Sequence, residues 1–343
     1  MSKLHEANSA KKMFKICIIG CGVMALNQHG PACKRYEAAN TNVQLAACCD
    51  INGEKAKSLA EQFDIPAWYT DIDEMLDTVQ PNAVCLIAPV DKTAMLSCKI
   101  MQKGYPLILE KPPGIFAEET IQMIQTANAG KVPNMVAFNR RHMPIVRSVV
   151  DMIDKWGGVE CILDISYRMV RHNRTDPHFS TTAIHGIDLV RYLAQSSYKS
   201  VDFRYNELPE AGPTVANFHM SCEMENGILT NLAFLPISSV NTERLDINTT
   251  KGLLTVQLPI WHGCIDGNGK IEVYCNGEIS QSICGSDIAD PLDDFILGGF
   301  YNENAKFFDA LRNGNTMPCD ISDSLQVVEI ATCIDQRVPT YSI

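Results

Sequence analysis

The sequence predicts an α/β protein in two parts: a parallel, helix-covered sheet over residues 13–140, then an α+β domain over 141–343 with an open, mainly antiparallel sheet. Three observations predict it. Short apolar runs alternate with helical stretches of about ten or more residues through the first part. The first run ends in a glycine-rich turn. After about residue 140 the helices give way to consecutive strand patterns joined by Asn-Gly turns.

Taken in order, FKICIIG (14–20) is a buried strand ending in glycine, and a helical stretch interrupted near Gly30-Pro31 follows it. VQLAACCD (43–50) is the second strand and 53–63 its helix. AVCLIAP (83–89) is a strand followed by a helix at 91–103, PLILE (106–110) is a strand stopped by Lys111-Pro112-Pro113, 117–129 is a helix, and NMVAFN (134–139) closes the series. The second part opens with a helix at 144–155 and a long strand at 160–170. A helix at 181–195 and strands at 200–208, 215–224, 228–235, 243–249, 253–258 and 271–275 come next. The final helical segment, 301–337, is expected to pack back on the first domain.

With 343 residues, two domains are the expected division. A net charge of -11 repels phosphate backbones, so no nucleic-acid partner is expected. No apolar run approaches the ~20 residues that cross a bilayer, so no membrane association is expected. Residues 1–12 are polar and read as a loose arm without the apolar core of a signal peptide, which makes the cytoplasm the expected location. Many of the 14 cysteines lie inside apolar strand patterns, with no zinc spacing among them. They read as buried free thiols, and no metal is expected.

Gly20-Cys21-Gly22-Val23-Met24-Ala25 reads GxGxxA directly after the first strand. The first glycine permits the tight turn, the second lets pyrophosphate approach the backbone, and the small third residue lets the helix sit close. The helix start then offers unpaired N–H groups to phosphate. Asp50, at the end of the second strand, is placed to accept the adenosine ribose hydroxyls and to repel a 2′-phosphate. Together these features predict a Rossmann domain that binds NAD rather than NADP.

Glu110-Lys111-Pro112 ends a strand of this sheet, and strand ends in open α/β sheets face the ligand crevice. A lysine there can give or take a proton at a reacting hydroxyl. At this point the chain resembles the glucose-fructose oxidoreductase / inositol dehydrogenase / MocA family. The resemblance runs from about residue 14 to 340 and is carried by GCGVMA, LILEKPPG, AFNRR (137–141) and AIHGIDLVRYL (183–193). It implies a sugar, cyclitol or glycoside dehydrogenase that assembles as a homo-oligomer through its C-terminal sheet. By resemblance Lys111 and His185 share the proton work, and Asp188 follows His185 by three residues. Asn139, with Pro89 and Glu110, lies near the cofactor, and His29 matches a recurrent histidine of the first helix.

The chain departs from the family pattern in having Thr181 where an aspartate is usual. That departure leaves open a relative's chemistry in which bound NAD is recycled while a glycosidic bond is eliminated. A non-catalytic sensor of NAD or sugar is the rival outside enzymes. For the substrate, the segment 168–178 carries three arginines and two histidines against one aspartate. Strand alternation puts Arg168 and His172 on one face and Arg171 on the other. Arg168 or His178 is expected to contact a polar substituent of the substrate, with Thr181 offering a hydroxyl and Asp188 nearby.

Overall fold

The computed structural model describes residues 13–260, 267–289 and 293–343, so the arm read at 1–12 lies outside the described residues. The first domain runs β1 (Phe14–Ile19), α1 (Gly30–Ala39), β2 (Val43–Cys49), α2 (Gly53–Gln62), β3 (Ala67–Tyr69), α3 (Ile72–Val79), β4 (Ala83–Leu86), α4 (Val90–Gln102), β5 (Leu107–Glu110), α5 (Ala117–Gly130) and β6 (Asn134–Ala137). Its six strands pair in parallel in the order β3-β2-β1-β4-β5-β6. All four residues of β4 and most of β1 and β2 are buried, the continuous apolar pattern of a sheet covered on both faces. The order reverses between β1 and β4, and in open α/β sheets that switch point is where a crevice opens.

Two details of this domain correct the expectations. The helix after the glycine turn is not broken at Gly30-Pro31. Residues Ala25–His29 form a widened turn in which the Gly30 amide donates to the Ala25 carbonyl, and α1 continues from there with Pro31 in its first turn. Proline has no amide to lose at that position, so the chain passes through it unbroken. The sequence reading passed over β3, which is three residues long with none fully buried, and over α3, whose Ile72, Met75, Leu76 and Val79 do recur at helical spacing, the last three buried. α3 starts where the Asp71 carboxylate accepts from the Glu74 amide at 2.8 Å.

A 3₁₀ turn at Asn139–His142 leads into the second domain: α6 (Pro144–Lys155), β7 (Ile162–His172), α7 (Ser180–Ala194), β8 (Tyr198–Glu207), β9 (Ala216–Met224), β10 (Leu229–Ser238), β11 (Thr242–Thr249), β12 (Leu253–Gln257), β13 (Lys270–Cys275), β14 (Glu278–Cys284), α8 (Asp294–Leu297), α9 (Phe300–Asn313), α10 (Leu325–Asp335) and β15 (Thr340–Ser342). The nine strands lie in the order β14-β13-β12-β11-β7-β10-β9-β8-β15. Only the central pair β7–β10 is parallel; the other neighbours are antiparallel.

α7 covers one face of this sheet so closely that a Cβ on Gly186 would stand 2.2 Å from the Tyr167 ring. The opposite face carries the exposed members of the alternation, among them Arg168, Asn231 and Arg244. The terminal helical segment is two helices rather than one, split at Gly314 in a left-handed conformation. Of these, α9 packs on α1: Phe308 stacks at a tilt against Tyr36, whose hydroxyl donates to Asp309 at 2.6 Å and accepts from Arg312 at 3.0 Å. Of the 13 cysteines described, all are free and ten are buried. Among the described residues no helix is long and apolar enough to cross a membrane.

Candidate active site

A cleft of about 420 Å³ opens at the switch point, with Gly20, Gly22 and Asp50 toward one end and Glu110, Lys111 and His185 among its other walls. A larger hollow of about 760 Å³ around Arg191, Asn226 and Asp323 shares no residue with it and holds none of the sequence-predicted groups.

At the first end, Gly20 has φ +91°, and a Cβ there would lie 2.0 Å from the Ile87 carbonyl oxygen. Only glycine lets β1 turn this close to the end of β4. Gly22 is the opposite case: a Cβ on it would meet nothing within 4 Å, because the backbone there faces the cleft. Val23 is 70% exposed and lines the cleft with Met24, whereas Ala25 is fully buried beneath them. The Asp50 carboxylate accepts from the amides of Cys21 and Asn52, both at 2.8 Å, so it braces the turn as well as facing the cleft. Lys55, which the sequence reading did not single out, lines the same end. The open backbone at Gly22, the helix start behind it and the half-buried Asp50 carboxylate fit a dinucleotide's pyrophosphate and ribose.

At the other end β5 delivers Glu110 and Lys111. Glu110 Oε2 accepts from the Lys111 amide at 3.1 Å, and Oε1 lies 2.8 Å from His29 Nε2. On the far side of the ring, Asn304 Nδ2 donates to His29 Nδ1 at 3.1 Å. Nδ1 is then an acceptor, which assigns the ring proton to Nε2 and makes it a donor to Glu110. Burial pushes Glu110 up, but His29 and Lys111 outweigh it and hold the carboxyl below its usual range.

Lys111 keeps part of its surface open to the cleft and donates from Nζ to the Thr181 carbonyl at 3.4 Å. Burial brings its ammonium down to about 8; Glu110 opposes the shift, while Arg140, Arg174 and Arg171 add to it. His185 is 5% exposed, and its Nδ1 has no hydrogen-bond partner among the described residues. Burial, then the charges of Arg140, Lys111 and Arg171, keep it well below the ordinary histidine range, so the imidazole is neutral near pH 7. Pro89 and Asn139 also line the cleft; Asn139 donates to the Gly298 carbonyl at 2.8 Å and accepts from Arg140 at 3.3 Å.

The substrate expectations fare differently. Tyr167 faces α7, so pleating turns Arg168 to the exposed outer face, away from His185. Arg171 is the arginine of this strand that turns inward. His178 is bound at the surface, Nδ1 at 2.9 Å from Asp335, with its ring edge-on to Phe116. The Thr181 hydroxyl is turned onto the His178 carbonyl at 2.7 Å, and it is the Thr181 carbonyl that meets Lys111. Asp188 is fully buried, with both oxygens taken by Arg141. Arg168, His178 and Asp188 do not line the cleft, and Thr181 reaches it only through Lys111.

Sequence reasoning missed the charges behind the cleft. Glu243, fully buried, accepts from Arg140 Nε at 2.8 Å and Nη2 at 2.6 Å, and also from Arg171. Burial pushes its carboxyl up, but the two guanidiniums bring it down to about 2. A signal for it existed: Glu243 shares the inward face of β11 with Leu245, Ile247 and Thr249. Glu303 on α9 is also fully buried, and neither of its oxygens has a partner among the described residues. Burial, with Glu110 nearby, raises its carboxyl well above the usual range and favours the protonated acid.

This combination of sheet order, glycine turn and lysine–histidine cleft defines the class of Rossmann-fold oxidoreductases. Residues 14–138 match the family model described as an oxidoreductase family, NAD-binding Rossmann fold, and residues 167–337 match that family's C-terminal alpha/beta domain. The chain belongs to this GFO_IDH_MocA family. It is similar to D-glucoside 3-dehydrogenase of Escherichia coli, 27% identical over 37% of this chain and 35% of that protein. It is also similar to inositol 2-dehydrogenase 1 of Paenarthrobacter aurescens, 22% identical over 64% of this chain and 66% of that one. The chain spans about two fifths of the length of the first curated relatives it matches. Among solved structures, levoglucosan dehydrogenase in complex with NADH shares the fold with a TM-score of 0.79 at 18% identity, covering 97% of this chain and 100% of that one.

Proposed function

We propose that this chain is an NAD-dependent dehydrogenase acting on a secondary alcohol carbon of a sugar, cyclitol or glycoside. The observation that carries the reading is one continuous cleft lined at one end by the glycine turn and Asp50 and at the other by Lys111 and His185. NAD held along the turn by Gly22, Met24 and Asp50 would supply the hydride acceptor or donor. The chain's own residues do the remaining work. Lys111, with an ammonium that titrates near 8, takes the hydroxyl proton during oxidation and returns it during reduction. His185, neutral and with a free Nδ1, holds the substrate hydroxyl in line. Glu110, fixed by His29, aims Lys111 from behind. The relatives named as glucoside and inositol dehydrogenases support the substrate class.

The uncovered face of the nine-stranded sheet, where Leu229 is 58% exposed, suits a homo-oligomer contact. A cytoplasmic location goes with this reading.

The test is formation of NADH over a panel of polyols and sugars, followed by Lys111→Met on the best substrate. The variant is expected to bind NAD as the parent does and to lose about two to four orders of magnitude in turnover. Near-parental turnover would make the lysine structural and sink this mechanism.

A further inference from the structure

The charges at the substrate end of the cleft do not balance. Lys111, Arg140 and Arg171 all act on His185, three cations against the two carboxylates Glu243 and Glu110. Glu243 is shared between two guanidiniums, and Glu110 is already bound by His29 and the Lys111 amide. Arg174 carries its own partner, Asp176, at 2.6 Å and contributes no surplus. Glu303, the other acid beside this cluster, bonds none of these cations: neither of its oxygens has a hydrogen-bond partner among the described residues.

One positive charge is therefore buried without an anion, in a protein whose net charge is -11. Burying an unpaired charge is costly, and chains avoid it unless something that binds there supplies the opposite sign. The surplus lies directly behind the cleft wall. Arg140 Nη1 donates to Asn139, which lines the cleft, and Arg171 adjoins it through Glu243. The acids that do line the cleft are Asp50, at the far end, and Glu110, already engaged.

We propose that the substrate of this dehydrogenase carries a carboxylate: a sugar acid or related polyhydroxy acid whose negative charge is balanced by the Arg140–Arg171–Glu243 cluster. The proposal rests on the dehydrogenase reading above and narrows its substrate class.

The test uses matched pairs, D-glucuronate with D-glucose and D-galacturonate with D-galactose. Binding is read by calorimetry in the presence of NADH, and turnover by NADH formation from NAD. The expected result is tighter binding of the acid in at least one pair, by about tenfold or more, with a preference that shrinks as salt is raised. In Arg171→Gln the pair Arg140–Glu243 remains one to one, so no charge is stranded and the fold is kept. That variant is expected to lose about tenfold of the acid-over-neutral ratio, and Arg171→Lys to restore most of it. If no acid binds more tightly than its neutral partner, or if Arg171→Gln leaves the ratio unchanged, the proposal is overturned. The cluster would then serve the developing alkoxide of a neutral substrate. Acid-selective binding with no NADH formed from any compound would instead overturn the dehydrogenase reading and leave the charge argument standing.

Discussion

Lys111 shows how much one side chain's surroundings change its chemistry. At the surface its ammonium would hold its proton to beyond pH 10. At the end of β5, burial brings it to about 8, with Arg140 on the same side of the balance and Glu110 against it. The sign for activity follows directly. Oxidation needs the free amine, so kcat/KM in that direction is expected to climb as pH rises through about 8 and then level off. Reduction needs the ammonium and is expected to fall across the same window. His185, held well below the ordinary histidine range by burial, stays neutral across this window and adds no second limb to it. Pre-steady-state or kcat/KM profiles in both directions check this; a flat oxidation profile would remove Lys111 from the proton step. The sequence marked Lys111 by its place at a strand end. Its lowered affinity for the proton was not legible there, because the burial that causes it is a tertiary fact and the arginines that add to it stand 29, 60 and 63 residues downstream.

At the scale of the element, the glycine turn separates two demands that the motif merges. Gly20 is required by the fold, since its φ is +91° and a Cβ would strike the Ile87 carbonyl. Gly22 faces open space, so the fold itself places no demand on it. Gly20→Ala is therefore expected to destabilise the protein by at least ~1–3 kcal/mol, the scale of a strained left-handed backbone, before any clash is counted. Gly22→Ala is expected to leave stability within ~0.5 kcal/mol of the parent and to weaken NAD binding at least tenfold. Urea denaturation and a fluorescence titration separate the two. Parental affinity in folded Gly22→Ala would show that pyrophosphate does not approach that backbone.

The same contrast governs legibility among the elements. Helices α2, α4, α5, α6 and α7 have apolar stripes or clear stops, and the sequence locates them within a residue or two. β3, β14 and β15 are three to seven residues long, and in β14 no residue is fully buried, so no alternation marks them. They exist because neighbouring strands offer a free edge, a long-range fact.

Across the whole molecule, the adjacent arginines of the 3₁₀ turn tie the two domains together. Arg140 reaches Glu243 on β11, and Arg141 takes Asp188 on α7 and Asp323 before α10. Glu243→Gln would leave two buried guanidiniums sharing a neutral amide. It is expected to cost about 3–5 kcal/mol of unfolding free energy, the usual result of breaking a buried ion pair from one side. Chemical denaturation at neutral pH checks it; a loss below ~1 kcal/mol would mean that solvent reaches the cluster and screens it.

With the family resemblance adding His185, the sequence determined the two-part plan, the parallel sheet, the glycine turn with its acid at Asp50, and the place of Lys111 at a strand end. Each of these is written in local periodicity or in a short motif, where neighbours in the chain are neighbours in space. The tertiary structure alone decided which charged groups share a site. It sent Arg168 outward and Arg171 inward, committed Asp188 to Arg141, and set Glu243 and Glu303 in the interior. Strand alternation gives two faces but does not say which one a helix will cover. Only the packing of α7 on β7 chose the face, and with it the charge that any substrate must meet.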